Sequence, residues 1–175
     1  MEKSYKQYLP KISTFIFDVD GVLTNGMVTI MPDGQLIRQM NIKDGYALKT
    51  AVDKGYHIAI ISGGKNEGVR TRLQNLGIKD VYLGAHDKIK QYRELVAKYN
   101  VKAEHVLYMG DDIPDLPVMQ LVGLPCCPND AAPELQKISK YISDKRGGEG
   151  CVRDIIEQVL RVQGKWKDSF DARYD

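Results

Sequence analysis

The stretch FIFDVDGVLT, residues 15–24, places the strongest condition on how this chain folds. Its first residues are aromatic and β-branched, a composition that predicts a buried strand. Asp18 and Asp20 follow directly, and because the interior of a strand resists unpaired charge, we expect both at the strand's carboxyl end. Ligands bind at that edge in open parallel sheets. The alternative, a strand followed by a plain acidic turn, is the default interpretation of an isolated pair of aspartates.

The composition is that of an ordinary globular chain. From 175 residues and a formal net charge of +2, we predict a single domain over residues 1–175 without a broad basic field for nucleic acid or a membrane surface. No apolar stretch is long enough to span a bilayer, and the polar first residues lack the core of a secretory signal. The three cysteines, two of them adjacent (Cys126 and Cys127), match neither a disulfide framework nor a zinc pattern. We interpret them as buried thiols and expect a cytoplasmic protein.

Predicted strands alternate with predicted helices along the chain. We place strands at about 13–18, 56–61, 80–84, 106–109, 123–127 and 141–142, and helices at about 46–54, 66–76, 88–99, 117–122, 131–139 and 152–163. This alternation predicts a doubly wound, Rossmann-like α/β fold, in which a parallel sheet carries helices on both faces.

A predicted β-hairpin, about 26–40, interrupts this pattern directly after the aspartates. Two alternating segments flank Pro32-Asp33-Gly34, which is a typical turn sequence. The hairpin could be a flap over a site, an edge that pairs with another subunit, or a purely structural element. Residues 41–45 after it are predicted to form a polar loop that ends in glycine.

Polar residues occur at or near the ends of four predicted strands. They are Asp18 with Asp20, Ser62, Lys88, and Asp111 with Asp112. Because the carboxyl ends of parallel strands face one edge of the sheet, these side chains can converge in a single pocket. Four such ends in a small chain make a plain acidic turn a much weaker explanation.

The chemistry of these residues fits phosphoryl transfer through an aspartyl ester. Crowded carboxylates raise one another's pKa unless a cation compensates, and Asp18, Asp20 and Asp111 offer the hard oxygen ligands that Mg²⁺ prefers. One carboxylate can attack phosphorus, and a second can protonate the leaving oxygen and later deprotonate the attacking water. In this scheme the first is Asp18 and the second Asp20, while the phosphoryl group is bound and its charge offset by Ser62, the Gly63 amide and Lys88.

The same residues resemble the motifs of the haloacid dehalogenase (HAD) superfamily of phosphatases. FDVDGVLT, residues 17–24, is similar to the first motif, and Ser62, Lys88 and the GDD of residues 110–112 fall where the second, third and fourth motifs are expected. Dehalogenases lack an acid at the position of Asp20 and P-type ATPases carry threonine there. The resemblance therefore implies a phosphatase or a phosphomutase, although a phosphomutase usually has a larger cap to exclude water.

A closer resemblance covers roughly residues 10–165. NIKDGYALK, ISGGKNEGVRTRLQNLGI, YMGDDIPDLPVMQLVGL and GGEGCVRDIIEQVL are together similar to the family of 3-deoxy-D-manno-octulosonate (KDO) 8-phosphate phosphatases. The resemblance implies a capless, Mg²⁺-dependent enzyme of lipopolysaccharide precursor synthesis that cleaves the phosphate ester of a 2-keto-3-deoxy sugar acid. It also implies a homotetramer in which hairpins meet at the centre and a neighbour's tail, about 164–175, covers each active site. The alternatives are a phosphatase for nine-carbon sugar acid 9-phosphates (KDN or sialic acid type) and a non-catalytic oligomerisation module.

The resemblance also implies roles for individual residues. Asp18 would be the nucleophile and Asp20 the acid/base, and the metal would be held by the side chains of Asp18 and Asp111 and by the Asp20 backbone carbonyl. Asp112 or Asp115 would orient the metal waters and Lys88. The implied substrate contacts are Asp20, Asn41, Lys43, Asp44, Gly45, Gly63, Arg72, Lys88 and Asp112.

One position departs from the family pattern. Many members have arginine after the Ser/Thr-Gly of the second motif, whereas this chain has Gly64. We therefore expect the sugar carboxylate to be met by Lys65, by Arg70, or by Arg146 from a neighbour's tail.

Overall fold

The computed structural model describes residues 4–166. In chain order the strands are β1 (Thr14–Phe17), β2 (Thr29–Ile30), β3 (Leu36–Ile37), β4 (His57–Ile61), β5 (Asp80–Tyr82), β6 (Val106–Met109), β7 (Leu124–Cys127) and β8 (Tyr141–Ile142). The helices are α1 (Ile42–Asp53), α2 (Glu67–Asn75), α3 (Lys88–Tyr99), α4 (Leu116–Met119), α5 (Pro133–Ile138) and α6 (Cys151–Val162). Short 3₁₀ turns lie at Tyr5–Gln7, Leu9–Lys11, Ala103–His105 and Ile113–Asp115.

Six of the strands form one parallel sheet in the order β5-β4-β1-β6-β7-β8. Strand β1 lies inside the sheet, where Phe15 pairs with Ile58 of β4 on one side and Leu107 of β6 on the other. All four residues of β1 are buried, as a continuous apolar strand between two layers of helices should be. The predicted doubly wound α/β fold is confirmed.

Alternate residues of β1 enter two separate cores. Phe15 and Phe17 pack in one core with α1 and α6, whereas Ile16 packs in the other with Leu95 and Tyr108. The alternation follows from the pleat, which turns successive side chains to opposite faces of the sheet. Helix α6 covers the first core with a stripe of buried residues at helical spacing: Val152, Ile155, Ile156, Val159 and Leu160.

The predicted loop at residues 41–45 is wrong, because helix α1 already begins at Ile42. The Asn41 side chain caps the helix by accepting a hydrogen bond from the Lys43 amide at 2.8 Å. Gly45, interpreted as the end of a loop, lies inside the helix where a Cβ would stand 2.8 Å from Nη2 of Arg72. Gly45 therefore lies within a helix, close to the Arg72 guanidinium, and does not end a loop. The other predicted boundaries differ from the observed ones by at most three residues.

The predicted hairpin is present as the antiparallel pair β2–β3 around Pro32-Asp33-Gly34. Most of its apolar side chains are exposed, namely Met27, Val28, Ile30, Met31, Leu36 and Ile37, whereas Met40 at its end packs against the first core. The short strands are thus held by their own pairing and by a few polar contacts with the sheet.

No helix in the described part of the chain has the length and apolar character needed to cross a membrane.

Candidate active site

A cavity of about 510 Å³ opens at the carboxyl edge of the sheet. Its lining includes residues from all four strand ends singled out in the sequence: Asp18, Asp20, Ser62, Gly63, Lys88, Asp111 and Asp112. Asp115, Gly64 and His86 also line it. The structure therefore brings together the predicted catalytic and metal-binding residues.

Asp18 is placed by the hydrogen bonding of the central strand. Its amide continues the sheet ladder by donating to the Met109 carbonyl at 3.1 Å, and its Oδ1 accepts from the Val19 amide at 2.6 Å. The chain then turns at Gly21, which has φ of +81° and where a Cβ would lie 1.8 Å from Oδ2 of Asp111. Glycine at this position lets the carboxylate that follows β6 approach the loop that follows β1.

Lys88 lies between two carboxylates. Its Nζ is 2.8 Å from Oδ2 of Asp18 and 2.6 Å from Oδ1 of Asp115, and the whole side chain is buried. Burial disfavours the charged amine, but the attraction of Asp18 and Asp115 outweighs it, so the pKa of Lys88 is raised. The ammonium is therefore a fixed positive charge beside the candidate nucleophile.

The acids of the cavity are crowded enough to need a cation. Asp18, Asp111 and Asp115 each offer an oxygen within 4.8 Å of the others. Burial, followed by repulsion from Asp115, raises the pKa of Asp18 to about 6. Burial, followed by repulsion from Asp18, raises the pKa of Asp111 to about 7. An all-oxygen donor set with excess negative charge fits Mg²⁺.

Asp115 lies directly before α4, but its side chain does not cap that helix. It forms a capping box with Asp112 at the 3₁₀ turn, and its Oδ2 accepts from the Asp111 amide at 3.1 Å. Its Oδ1 accepts from Lys88 and, at 2.5 Å, from the hydroxyl of Tyr108. Since protein donors hold both of its oxygens, Asp115 serves mainly to fix Lys88.

Tyr108 was not among the predicted site residues. This tyrosine lies in the middle of β6 and is fully buried. A buried phenol needs a hydrogen-bond partner. The tyrosine within the apolar run VLYM therefore indicated that a polar side chain lies close to this strand.

Arg38 was also missed. It follows β3 of the hairpin, and its Nε donates to Oδ1 of Asp20 at 2.6 Å while its Nη2 donates to Oδ2 at 3.2 Å. The available signal was that Arg38 is the single basic residue between positions 26 and 40. The hairpin is therefore in direct contact with the candidate acid/base.

Ser62 and the glycines after it shape the wall opposite Asp111. The Ser62 amide donates to the Tyr82 carbonyl at 2.9 Å, and its hydroxyl accepts from the Gly64 amide at 3.2 Å. A Cβ at Gly63 would meet nothing within 4 Å. The backbone of this turn is thus open to a ligand in the cavity.

The structure does not bring the expected substrate contacts of helix α1 to the acidic cavity. Asn41 caps the helix and donates to the Gly148 carbonyl at 3.2 Å, and Lys43 is exposed. Arg72 lies against Gly45 and lines a separate cavity of about 340 Å³ with Arg38. For these residues and Gly45, substrate contact stays a prediction.

Asp44 also lies away from the acidic cavity, and its contact with substrate stays a prediction. Its side chain is buried, and Oδ1 accepts a hydrogen bond from the Arg153 amide at 2.7 Å, at the start of α6. Burial raises its pKa to about 6 despite that bond. Asp44 therefore joins α1 to α6 within one subunit instead of facing the acidic cavity.

Two of the residues considered for the sugar carboxylate are engaged elsewhere. Arg70 donates to Glu67 at 2.9 Å and to the Val81 carbonyl at 2.7 Å, and Arg146 pairs with Asp130 at 3.3 Å. Lys65 lies over Gly84, where a Cβ would stand 2.9 Å from its Cε.

The loop at residues 146–150 supports the turn after strand β1 in its own chain. The Gly148 amide donates to the Val22 carbonyl at 2.9 Å. A Cβ at Gly147 would lie 2.0 Å from the Gly21 carbonyl oxygen. Two adjacent glycines were the signal for this close approach of two backbones.

Comparison with known proteins gives concordant results. Residues 80–155 match the family of haloacid dehalogenase-like hydrolases. The 3-deoxy-D-manno-octulosonate 8-phosphate phosphatase of Salmonella typhi is 37% identical over 154 residues, which are 88% of this chain and 82% of that protein.

Solved structures agree with this result. The crystal structure of the 3-deoxy-D-manno-octulosonate 8-phosphate phosphatase from Yersinia pestis has a TM-score of 0.90 and 34% identity, over 94% of this chain and 89% of that one. The enzyme of the same name from Moraxella catarrhalis, crystallised with a magnesium ion, a phosphate ion and KDO, has a TM-score of 0.89 and 30% identity, over 93% of each chain.

Proposed function

The chain belongs to the haloacid dehalogenase-like family of 3-deoxy-D-manno-octulosonate 8-phosphate phosphatases, and on that premise we propose that it hydrolyses KDO 8-phosphate to KDO and phosphate. The observation that carries this proposal is the convergence of Asp18, Asp20, Lys88 and Asp111 on one cavity. The reaction would supply KDO for lipopolysaccharide precursor synthesis. Family membership and the complete acidic set support an enzyme over a non-catalytic oligomerisation module.

Asp18 is the proposed nucleophile. Its oxygen attacks phosphorus and forms an aspartyl phosphate, while the bond from phosphorus to the sugar oxygen breaks. Lys88, 2.8 Å from Oδ2 of Asp18, offsets the negative charge that the nucleophile and the phosphate bring together. Ser62 and the Gly63 amide are positioned at the same cavity to donate to phosphoryl oxygens.

Asp20 is the proposed acid and base. In the first step its carboxyl group gives a proton to the departing sugar oxygen. In the second step its carboxylate takes a proton from a water molecule, which attacks the aspartyl phosphate and releases inorganic phosphate. The carboxylates of Asp18 and Asp20 end the cycle in their starting states, so no further reagent is consumed.

The proposed cofactor is Mg²⁺, held by the carboxylates of Asp18 and Asp111 and by the Asp20 backbone carbonyl. The fit rests on the oxygen donors that Asp18 and Asp111 place within 4.8 Å of each other. Asp115, the third acid of this cluster, is held by Lys88, Tyr108 and the Asp111 amide. When bound, Mg²⁺ supplies positive charge that lets an anionic nucleophile approach an anionic phosphoryl group.

The proposed enzyme is a single-domain, cytoplasmic homotetramer. The exposed apolar side chains of the hairpin support assembly, because a contiguous apolar surface favours a protein–protein contact. Three free, buried cysteines are compatible with a reducing compartment. The neighbour's tail that would cover each active site lies mostly outside the described residues.

The direct test is phosphate release from KDO 8-phosphate with and without Mg²⁺. We expect Mg²⁺-stimulated turnover by the wild-type protein and a loss on the order of 10³-fold or more in Asp18→Asn, which keeps the shape of the side chain. Asp53→Asn, on the exposed side of α1, is the matched control and should remain active. An inert wild-type protein, or a fully active Asp18→Asn variant, would contradict the proposal.

The same assay decides between eight-carbon and nine-carbon substrates. We expect a higher kcat/KM for KDO 8-phosphate than for the 9-phosphates of KDN and sialic acid. The reverse order would move the substrate to the nine-carbon class without affecting the proposed mechanism.

A further inference from the structure

An arginine of the hairpin lies on the carboxylate that the proposed mechanism uses as acid and base. We propose that Arg38 is a positioning residue, which orients Asp20 toward the leaving oxygen and thereby links the hairpin to the chemistry. This inference rests on the proposed function, and on Asp20 acting as described there.

Arg38 and Asp20 form a bidentate ion pair. Arg38 uses Nε on Oδ1 of Asp20 at 2.6 Å and Nη2 on Oδ2 at 3.2 Å. Two parallel charge-assisted hydrogen bonds fix the plane of a carboxylate as well as its position, which a single bond or a lysine does not. The side chain of Arg38 is 10% exposed and that of Asp20 is 37% exposed. The arginine is thus the anchored partner, and the carboxylate keeps an open side toward the cavity.

The hairpin is tied to the sheet at the same point. Nη1 of Arg38 donates to the Leu36 carbonyl at 3.2 Å, and the Asn66 side chain at the start of α2 donates to that carbonyl at 3.0 Å. Strand β3, Arg38 and the beginning of α2 therefore form one connected unit. A displacement of β3 must move the guanidinium, and with it Asp20.

Gly64 leaves the room that this pair occupies. A Cβ at position 64 would lie 3.3 Å from Oδ2 of Asp20 and 3.5 Å from Nη2 of Arg38. A larger side chain would have to extend past the ion pair. The missing side chain at Gly64 thus leaves the space in which Arg38 pairs with Asp20.

The carboxylate remains able to exchange a proton. Each oxygen has two acceptor sites, and Arg38 occupies one on each. The sites that remain can hold the proton, contact the substrate oxygen, or contact the attacking water. Without Arg38 the carboxylate is free to rotate, and fewer of its orientations reach the leaving oxygen.

The consequence to measure is a dependence on the leaving group. A poor leaving group needs a well-placed proton donor, whereas p-nitrophenolate departs with little help. Because kcat/KM reports the steps up to departure of the alcohol or phenol, it isolates this role of Asp20 from the later attack by water. A merely structural role for Arg38 would lower kcat/KM for all esters by the same factor.

The experiment measures kcat/KM of the full chain with Mg²⁺ for a series of aryl phosphates, from p-nitrophenyl to phenyl phosphate. In Arg38→Gln we expect a loss of about 10- to 100-fold on phenyl phosphate and of less than about threefold on p-nitrophenyl phosphate. Arg38→Lys keeps the positive charge but loses the two parallel donors of the guanidinium. Its loss on phenyl phosphate should therefore lie between that of the wild type and that of Arg38→Gln. Arg161→Gln, which removes an arginine paired with Glu157 on α6, is the control and should match the wild type.

Each outcome separates the two proposals. If the wild-type protein hydrolyses none of these esters or KDO 8-phosphate, the proposed function fails. If the wild type is active and Arg38→Gln shows the wild-type ratio between the two esters, or a ratio shifted in favour of phenyl phosphate, the positioning role is overturned while the function stands. If Arg38→Gln does not fold by circular dichroism, the Arg38→Lys ratio decides in the same way.

Discussion

At the scale of single residues, Lys88 is a buried cation between two carboxylates. Its ammonium is buried and contacts both Asp18 and Asp115. Removing one partner of a buried ionic cluster is costly because the remaining charges are left without compensation. The lysine is therefore needed for the integrity of the site as well as for charge balance in the reaction.

We expect Lys88→Met to abolish phosphatase activity and to lower the free energy of unfolding by about 3–5 kcal/mol in the absence of metal. Urea titrations with and without Mg²⁺ measure the effect, and added Mg²⁺ should recover part of the loss. Lys145→Met is the control, because the side chain of Lys145 is 51% exposed and that of its partner Asp144 is 75% exposed. Equal losses in the two variants would contradict this account.

At the scale of secondary-structure elements, the junction of α1 and α6 depends on a buried acid. Asp44 lies in the first turn of α1 and accepts from the Arg153 amide in the first turn of α6. Burial raises its pKa from 3.8 to about 6. In the folded state this carboxyl group therefore holds its proton at pH values where the unfolded chain has released it.

The sign of the resulting pH dependence follows from proton binding. Between about pH 4 and pH 6 the folded state binds more protons at Asp44 than the unfolded state, so the contribution to stability falls as the pH rises through this window. Relative to the wild type, Asp44→Asn should gain about 2–3 kcal/mol between pH 4 and pH 7, since its amide does not ionise and still accepts from Arg153.

Urea unfolding of both proteins at several pH values checks this prediction. Asp53→Asn, on the same helix but exposed, should follow the wild-type curve. Parallel curves for the wild type and Asp44→Asn would show that Asp44 does not titrate abnormally in the folded state.

The loop at residues 146–150 acts on the catalytic turn through direct backbone contact. In Gly147→Ala the new methyl group would lie 2.0 Å from the Gly21 carbonyl oxygen, so one of the two loops must move. We expect a loss of about 1–3 kcal/mol in unfolding free energy and a reduced kcat/KM, because the displaced turn carries Asp20.

Gly150→Ala provides the comparison for that variant. Gly150 has φ of +103°, but a Cβ there meets nothing within 4 Å. It should lose stability through backbone strain alone and keep its kcat/KM. If both variants keep full activity, the contact with Gly21 has no role in the site.

At the scale of the whole molecule, the hairpin leaves several apolar side chains uncovered in a single subunit. Ile30 is 73% exposed, and Met27, Val28 and Ile37 are also open to solvent. Because Arg38 joins β3 to Asp20, assembly through the hairpin would also hold the acid/base in place. Assembly and activity should therefore change together.

We expect sedimentation velocity to show a tetramer for the wild type and smaller, less active species for Ile30→Asp, since burying a charge in an apolar contact is unfavourable. Val162→Asp changes an exposed apolar residue at the end of α6 and should leave the assembly intact. A fully active monomer of the wild-type protein would overturn the prediction.

The sequence by itself was sufficient for the sheet, its strand ends and the acids located there. Apolar runs report which segments are buried, and a parallel sheet places all carboxyl ends at one edge, so Asp18, Ser62, Lys88 and Asp111 could be brought together without coordinates. The two-step chemistry and the resemblance to a known family then gave Asp18 and Asp20 separate roles. Residues 15–24 carried most of this information, because these ten residues contain a buried strand, the carboxyl end of that strand and two acidic side chains.

Only the tertiary structure decided which side chains meet across the chain. The pairing of Arg38 with Asp20, of Asp44 with Arg153, and of Gly147 with the Gly21 carbonyl joins positions that are 18, 109 and 126 residues apart. Local patterns do not encode such contacts, since periodicity shows that a residue faces inward or outward but not what it faces. They depend on how the hairpin and the helices pack, and that packing is set by the whole chain.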